Sequence, residues 1–498
     1  MFSKIIRLFT VVVLLVLTLA YAPGASADPL VCDNRINDTQ EKLLECVTLE
    51  GVREHQAALQ AIADANGGTR ASGTSGYDAS VAYVVEKMTA AGYQVTLHEF
   101  PFIFFPVELQ QTAPIEATYI SLPVTETGFG TVSAPVIPVD INLAPPRANT
   151  SGCETEDFTG FSSGSIALVQ RGTCPLATKV LNAQAAGASA VILFNQGDAP
   201  TPDRSDLFVA TLGVTELVNI PVVTTSYADG ESLAQAGTEA TVTVGEPEIR
   251  TSTNVIAESR EGDPNNVIIA GAHLDSVSSG PGINDNGSGS AALLEVAEQM
   301  ANLTPHNKVR FAWWGAEEAG LFGSFAYVIS LFPYELAKVA LYLNFDMIGS
   351  PNHVFFIYDG DDSDAEGAGP GPAGSAEIEK TFEAYFTSVG VPFKGTDFSG
   401  RSDYGPFILA GIPSGGLFTG AEGIKTEEEA ALWGGTAGIA YDPCYHQPCD
   451  NYANNNDFAL AVNSDAIAYA VLQYAMSTED ISVATGNLKF PLREIPAE

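Results

Sequence analysis

At 498 residues the chain exceeds one ordinary domain, so two or more folded units are expected. A hydrophobic content of 46% supplies substantial cores and excludes global disorder. Sixty acids against 22 bases give a formal charge of −38, which excludes nucleic acid and anionic membrane surfaces as partners and suits a soluble, cation-attracting surface.

The first 27 residues read as a signal peptide. Lys4 and Arg7 precede the apolar run Leu8–Ala20, and Ala25-Ser26-Ala27 is a small-residue cleavage pattern, so the mature chain begins at Asp28. The run is shorter than the roughly 20 residues a membrane span requires. A secreted protein, extracellular or periplasmic and free of the membrane after cleavage, is the expectation. Without Lys4 and Arg7 it carries −40.

Six cysteines remain for an oxidising compartment. Sequence alone leaves 15 connectivities open. Proximity favours Cys32–Cys46, Cys153–Cys174 and Cys444–Cys449.

Residues 28–49 are polar and read as a lead-in or pro-segment. Helical periodicity runs over 52–63 and 80–91, followed by an alternating strand over 93–100. From 112 to 246 Val, Thr, Pro and Gly dominate. Strands at 165–170, 190–194, 220–225 and 240–244, with a helix at 177–186, describe a small β-rich unit. From 247 to 478 strand and helix alternate. The strands are 267–272, 309–314, 339–345, 353–358 and 414–418; the helices are 291–303, 377–389 and 459–476. That order predicts an α/β fold with a mostly parallel central sheet flanked by helices. Residues 50–111 join it, which makes 112–246 an insertion, and 479–498 form a C-terminal tail.

Chemistry-bearing residues follow the predicted strands. Gly271-Ala272-His273-Leu274-Asp275-Ser276 follows one, and Gly282-Ile283-Asn284-Asp285-Asn286-Gly287 opens the next helix. Trp314-Gly315-Ala316-Glu317-Glu318 and Asn344-Phe345-Asp346-Met347 end two more, and Cys444-Tyr445-His446-Gln447-Pro448-Cys449-Asp450 lies in a late loop. Sites in open α/β sheets form outside the carboxyl ends of the strands, where these pieces converge. Imidazole and carboxylate suit zinc, and two histidines with three acids can hold two ions when one carboxylate bridges. Either member of Glu317-Glu318 is then free to act as a base.

With these motifs in order, the chain resembles the two-zinc aminopeptidases of the bacterial leucyl type that carry an inserted protease-associated domain. The insert contributes Gly164–Gly172 and Ala185-Ala186-Gly187-Ala188 to the match. The resemblance implies that His273 and Asp346 hold one Zn2+, Glu318 and His446 the other, and Asp285 both. It makes Glu317 the general base and Tyr445 the donor to the oxyanion, and it implies a cis peptide between Asp285 and Asn286. Asp275 is expected to accept from the far nitrogen of His273. Peptides with a free N-terminus are the implied substrates, with the ammonium received by Glu317 and Asp346. Arg401 and Phe418 line the first-residue pocket, Phe418 as an apolar wall suited to Leu-like residues. A monomer is expected.

Plainer readings stand beside these. His55, His98, His306 and His353 lie outside any ligand motif and read as structural. Asp285 also suits a helix N-cap. Trp313 and Trp314 read as core and pocket wall. The acidic run 359–366 reads as a solvated loop, with Ca2+ as the alternative. Asn37, Asn149, Asn286 and Asn302 head glycosylation sequons, of which Asn286 sits in the site. Two other functions remain open: a carboxypeptidase or dipeptidase on the same scaffold, for which Arg401 supplies a cation, and a non-catalytic binding protein, for which ligand loss is the signature.

Overall fold

In the computed structural model, residues 29–485 are described, apart from 199–201, 206, 209, 214–216, 366 and 368. The signal peptide and most of the C-terminal tail lie outside the described residues. The chain builds two eight-stranded sheets.

The first sheet consists of β1 (Gln94–Phe104), β2 (Glu248–Glu258), β3 (Asp263–His273), β4 (Asn307–Trp314), β5 (Val339–Phe345), β6 (Phe356–Tyr358), β7 (Lys394–Thr396) and β8 (Ser414–Phe418). Their spatial order is β1-β2-β4-β3-β5-β8-β6-β7. The central strands β4, β3, β5 and β8 run parallel, so their carboxyl ends share one edge. Antiparallel pairs, β1 with β2, β2 with β4 and β6 with β8, flank them.

Both faces of the centre are covered, which explains why these strands read as continuous apolar runs. Ile268, Ala270 and Ala272 of β3 point into one core, under the helices Leu49–Ala65, Ser75–Ala90, Gly287–Gln299 and Asp457–Met476. Val267 and Ile269 point into the opposite core with Trp314, Tyr342 and Phe407.

Helix starts lie earlier than periodicity alone placed them. Thr48 accepts from Gly51 N–H and Thr74 from Tyr77 N–H, and each cap recruits a polar first turn ahead of the apolar stripe. The same effect moves the helix expected at 291–303 to Gly287–Gln299, where Asn286 accepts from Gly289 N–H. The N-cap is therefore Asn286 and not Asp285. Gly289 has to be glycine, because a Cβ would sit 2.2 Å from the Phe345 carbonyl oxygen.

The segment expected as a lead-in or pro-segment packs on the main core. Leu43 is fully buried in the main core, and Asn37 Nδ2 donates to the Gln299 carbonyl. At the other end Glu479–Ala484 is helical with Ile481 buried in that core.

The second sheet takes up the intervening chain. Val107–Ala113 already pairs with Glu239–Val244, so the chain leaves the first sheet before residue 112. Its strands Ile166–Gln170, Ala190–Phe194 and Val222–Thr225 run parallel, with the helix Leu176–Ala185 between the first two and Tyr227–Leu233 after the third. Disulfides join Cys32 to Cys46, Cys153 to Cys174 and Cys444 to Cys449.

Candidate metal centre and active-site cleft

The carboxyl edge of the parallel strands gathers the motif residues. His273 ends β3; Glu317 and Glu318 follow β4, Asp346 follows β5, and the late loop adds His446. Asp285 lies between the histidines. Its Oδ1 is 3.1 Å from His273 Nε2 and its Oδ2 is 3.2 Å from His446 Nε2. Each histidine meets a second acid: His273 Nε2 is 3.2 Å from Asp346 Oδ1, and His446 Nε2 is 3.0 Å from Glu318 Oε2. Glu317 stands further off, at 4.0 Å from His273 Nε2. Two triads of donor atoms, His273/Asp285/Glu318 and His273/Glu317/Asp346, each lie within 4.8 Å of one another.

Backbone strain is concentrated here. Ala316, Met347 and His446 have φ of 52°, 52° and 58°, a left-handed region that non-glycine residues rarely occupy. These turns aim Glu317, Asp346 and His446 inward from strand and loop ends. The Asp285–Asn286 peptide is cis.

Burial and crowding set the electrostatics. Burial pushes the Glu317 carboxyl well above its usual range, and Asp346, Asp403 and Glu318 push further against the pull of His273. Burial and Asp285 raise Glu318 to about 7. Burial opposes charge on Asp285, but hydrogen bonds from both histidines hold it well below the usual carboxylate range. Burial lowers His273 and His446, and their facing acids outweigh it and raise both. Glu318 Oε1 is buried without a hydrogen-bond partner. Several buried acids facing only two imidazoles, one with an orphaned oxygen, are a donor set that fits zinc ions.

Asp275 meets His273 Nδ1 more closely through its main chain than through the carboxylate expected there. His273 Nδ1 lies 3.2 Å from the Asp275 backbone carbonyl, and the carboxylate Oδ1 is 3.7 Å away. That carboxylate instead accepts the Glu317 N–H at 3.2 Å. Sequence reasoning placed Ser402 beside Arg401 in the pocket but missed its contact: its hydroxyl donates to Asp346 Oδ2 at 2.6 Å. It also missed Arg70, a fully buried cation that donates to the carbonyls of Leu274, Pro281 and Gly282. No spacing signal links either residue to the motifs.

The group opens into a cleft of about 110 Å3, walled beyond the acids by Met347, Tyr358, Thr396, Asp397, Tyr404 and Phe418. Tyr445 stacks on His446 with ring centroids 3.8 Å apart, and its hydroxyl is 3.4 Å from Arg401 Nη2. Arg401 is paired with Glu422 at 2.5 Å. Phe418 packs against Phe356 at 5.9 Å. Trp313 and Trp314 are fully buried core; neither walls the cleft.

A sequence profile of Peptidase family M28 matches residues 254–471, and a PA domain profile matches residues 132–233. An aminopeptidase of Pseudomonas aeruginosa is 48% identical over 488 residues, covering 95% of this chain and 90% of that protein. The chain belongs to peptidase family M28. It is a zinc-dependent peptide hydrolase. A probable leucine aminopeptidase 2 of Aspergillus fumigatus is 48% identical over 348 residues, 68% of each chain. Among solved structures, the aminopeptidase from Aneurinibacillus sp. strain AM-1 superposes with a TM-score of 0.57 at 27% identity, covering 88% of this chain and 96% of that one.

The remaining candidates in this M28 peptidase have local partners. His55 Nδ1 meets Tyr83 Oη at 2.8 Å, and His306 Nδ1 meets the Met476 carbonyl at 2.9 Å. The His353 ring packs edge-on against Phe355 at 5.0 Å with neither nitrogen hydrogen-bonded, and burial lowers it to about 4, so it stays neutral. In the acidic run, Asp359 accepts from the Ser363 and Asp364 amides and Glu379 from Gly360 N–H. Asn37, Asn149 and Asn286 are buried and do not present their amides for glycosylation. Among the described residues no helix is long and apolar enough to cross a membrane.

Proposed function

We propose that this M28 peptidase is a secreted aminopeptidase that releases single N-terminal residues and holds two zinc ions in the cleft. The observation that carries this reading is Asp285 spanning His273 and His446, each with its own second acid. His273 and Asp346 would hold one ion, Glu318 and His446 the second, and Asp285 both. Two bound zinc ions supply a Lewis acid for the scissile carbonyl and make an attacking water acidic near neutral pH.

The side chains do the rest. Glu317, with its carboxyl raised and its backbone fixed by Asp275, takes the proton of the attacking water and returns it to the leaving amine. The Tyr445 hydroxyl donates to the oxyanion, a contribution of about 3 kcal/mol in comparable acyl-transfer sites. Glu317 and Asp346 face the substrate ammonium, which selects a free amino end. Met347, Tyr358 and Phe418 form an apolar wall for a Leu-like first residue. Arg401 already has its charge answered by Glu422, which argues against its serving a substrate carboxylate and so against a carboxypeptidase. The three disulfides support an extracellular or envelope location. The Asp359 group has backbone amides on two of its three carboxylates, and no calcium role is proposed for it.

The test compares leucyl-p-nitroanilide with its N-acetyl form and counts bound metal. Cleavage of the free-amine substrate alone by protein with two zinc ions supports the reading. Comparable cleavage of the capped amide would remove the ammonium contact from it.

A further inference from the structure

Asp285 can answer both histidines only if its main chain is held still. Three consecutive amides ahead of its side chain end on one residue. Asn284 N–H donates to Asp450 Oδ1 at 2.8 Å, Asp285 N–H donates to Asp450 Oδ2 at 2.9 Å, and Ile283 N–H donates to the Asp450 carbonyl at 3.1 Å. Asp450 is 1% exposed. It directly follows Cys449, so it is anchored to one end of the disulfide-closed loop that carries His446.

The opposite side of the same segment is fixed by charge of the other sign. Arg70 takes the carbonyls of Leu274, Pro281 and Gly282. The stretch between His273 and Asp285 is thus clamped by the buried Arg70 cation on its carbonyls and the buried Asp450 carboxyl on its amides. Charge-assisted bonds of this kind are roughly twice as strong as neutral ones. Asp450 also locks the two sources of ligands together, because the loop that aims His446 grips the backbone of the acid that faces it.

We infer that Asp450 is a positioning residue that sets the distance between Asp285 and His446 and so the affinity of the second metal position. This rests on the two-zinc reading above. Asp442 offers an internal comparison. It is equally buried and accepts from Asn284 Nδ2 at 2.6 Å and Cys444 N–H at 2.8 Å, but makes no bond to the Asp285 main chain. In Asp450→Asn one amide still finds an oxygen, and the other meets an NH2 group, donor against donor.

The experiment is zinc titration against a chromophoric chelator, with circular dichroism as the check on folding and kinetics on leucyl-p-nitroanilide alongside. Asp450→Asn should keep the tighter zinc and lose affinity for the weaker one by about 10- to 100-fold, the range for residues that orient ligands. Its kcat should fall and return with added zinc, while KM stays close to wild type. Asp442→Asn should shift zinc affinity much less. Asp450→Glu, which keeps the charge, should fall between, and it carries the measurement if the asparagine variant does not fold. Unchanged affinity in a folded Asp450 variant overturns the inference, as does an equal loss in Asp442→Asn, since that is what general loosening produces. Wild type holding fewer than two zinc ions overturns the reading beneath it instead.

Discussion

Glu317 and Glu318 are neighbours to which the proposed mechanism gives different tasks, and the turn after β4 separates them. Glu318 reaches His446 at 3.0 Å, while Glu317 lies 4.0 Å from His273 and offers its main chain to Asp275. Glu317→Gln is close in shape and removes only proton transfer. It should retain zinc in metal analysis and lose kcat by about 10²- to 10⁴-fold, the usual worth of a positioned base. A variant near wild-type rate would assign the base elsewhere. The histidines and acids grouped around Asp285 were legible in the sequence because each stands in a short motif at a strand end or in the late loop. Arg70 was not, and Ser402 and Asp450 were visible only as neighbours of Arg401 and Cys449, because all three act on a ligand or on loop main chain, and capture of backbone leaves no spacing pattern. Asp275 was half legible: the residue is in the site, but its carboxylate serves Glu317 N–H.

At the scale of elements, apolar runs located the strands of the parallel centre to within a few residues, since burial on both faces dictates them. Helix starts were less legible, because Thr48, Thr74 and Asn286 cap polar turns that carry no apolar stripe. The insertion read as β-rich because its strands are short, although its centre is parallel and helix-connected. The disulfides divide stability from function. Chain separations of 21 for Cys153–Cys174 and 5 for Cys444–Cys449 correspond to about 3 and about 2 kcal/mol of loop-closure entropy. Serine replacement of the longer bridge should therefore cost more thermal stability. Replacement of the shorter one should cost more activity, about 10- to 100-fold in kcat/KM, because it frees Tyr445 and His446 from their geometry. Melting curves and kinetics on both double variants decide it; the reverse ranking would detach the loop from catalysis. The start of the helix Leu49–Ala65 gives a pH prediction. Glu295, 4% exposed, accepts from Thr48 N–H, and burial raises its carboxyl from 4.5 to about 7. The folded state thus holds the proton more tightly than the unfolded one. The associated stability is present below about pH 4.5 and is lost as pH rises through about 7, at most about 3 kcal/mol. Urea midpoints between pH 4.5 and 7.5 should fall less steeply in Glu295→Gln than in wild type; parallel slopes would remove Glu295 as the cause.

The whole molecule carries two kinds of negative charge, and they answer to different remedies. Exposed acids contribute to the formal charge of −38, and their self-repulsion is screened by salt as the Debye length falls from about 10 Å at 0.1 M to about 3 Å at 1 M. The charge at the cleft is buried: Asp275, Asp285 and Glu317 face His273 and His446, with Arg70 beneath them, itself lowered to about 10 by burial against the pull of Asp275, Asp450 and Asp285. Mobile salt does not enter such a site, and only bound cations answer it. Zinc at about 1,000 times its Kd stabilises the folded state by about 4 kcal/mol. Chelation should therefore lower the melting temperature, and sodium chloride should raise it in the zinc-loaded and zinc-free proteins alike. The gap between the two should persist from 0.1 to 1 M salt, because the charges that zinc answers lie beyond the reach of screening. Calorimetry of both forms across that range checks the argument. If the gap closed at high salt, the metal would be acting on surface repulsion, and the buried acids would not be its site.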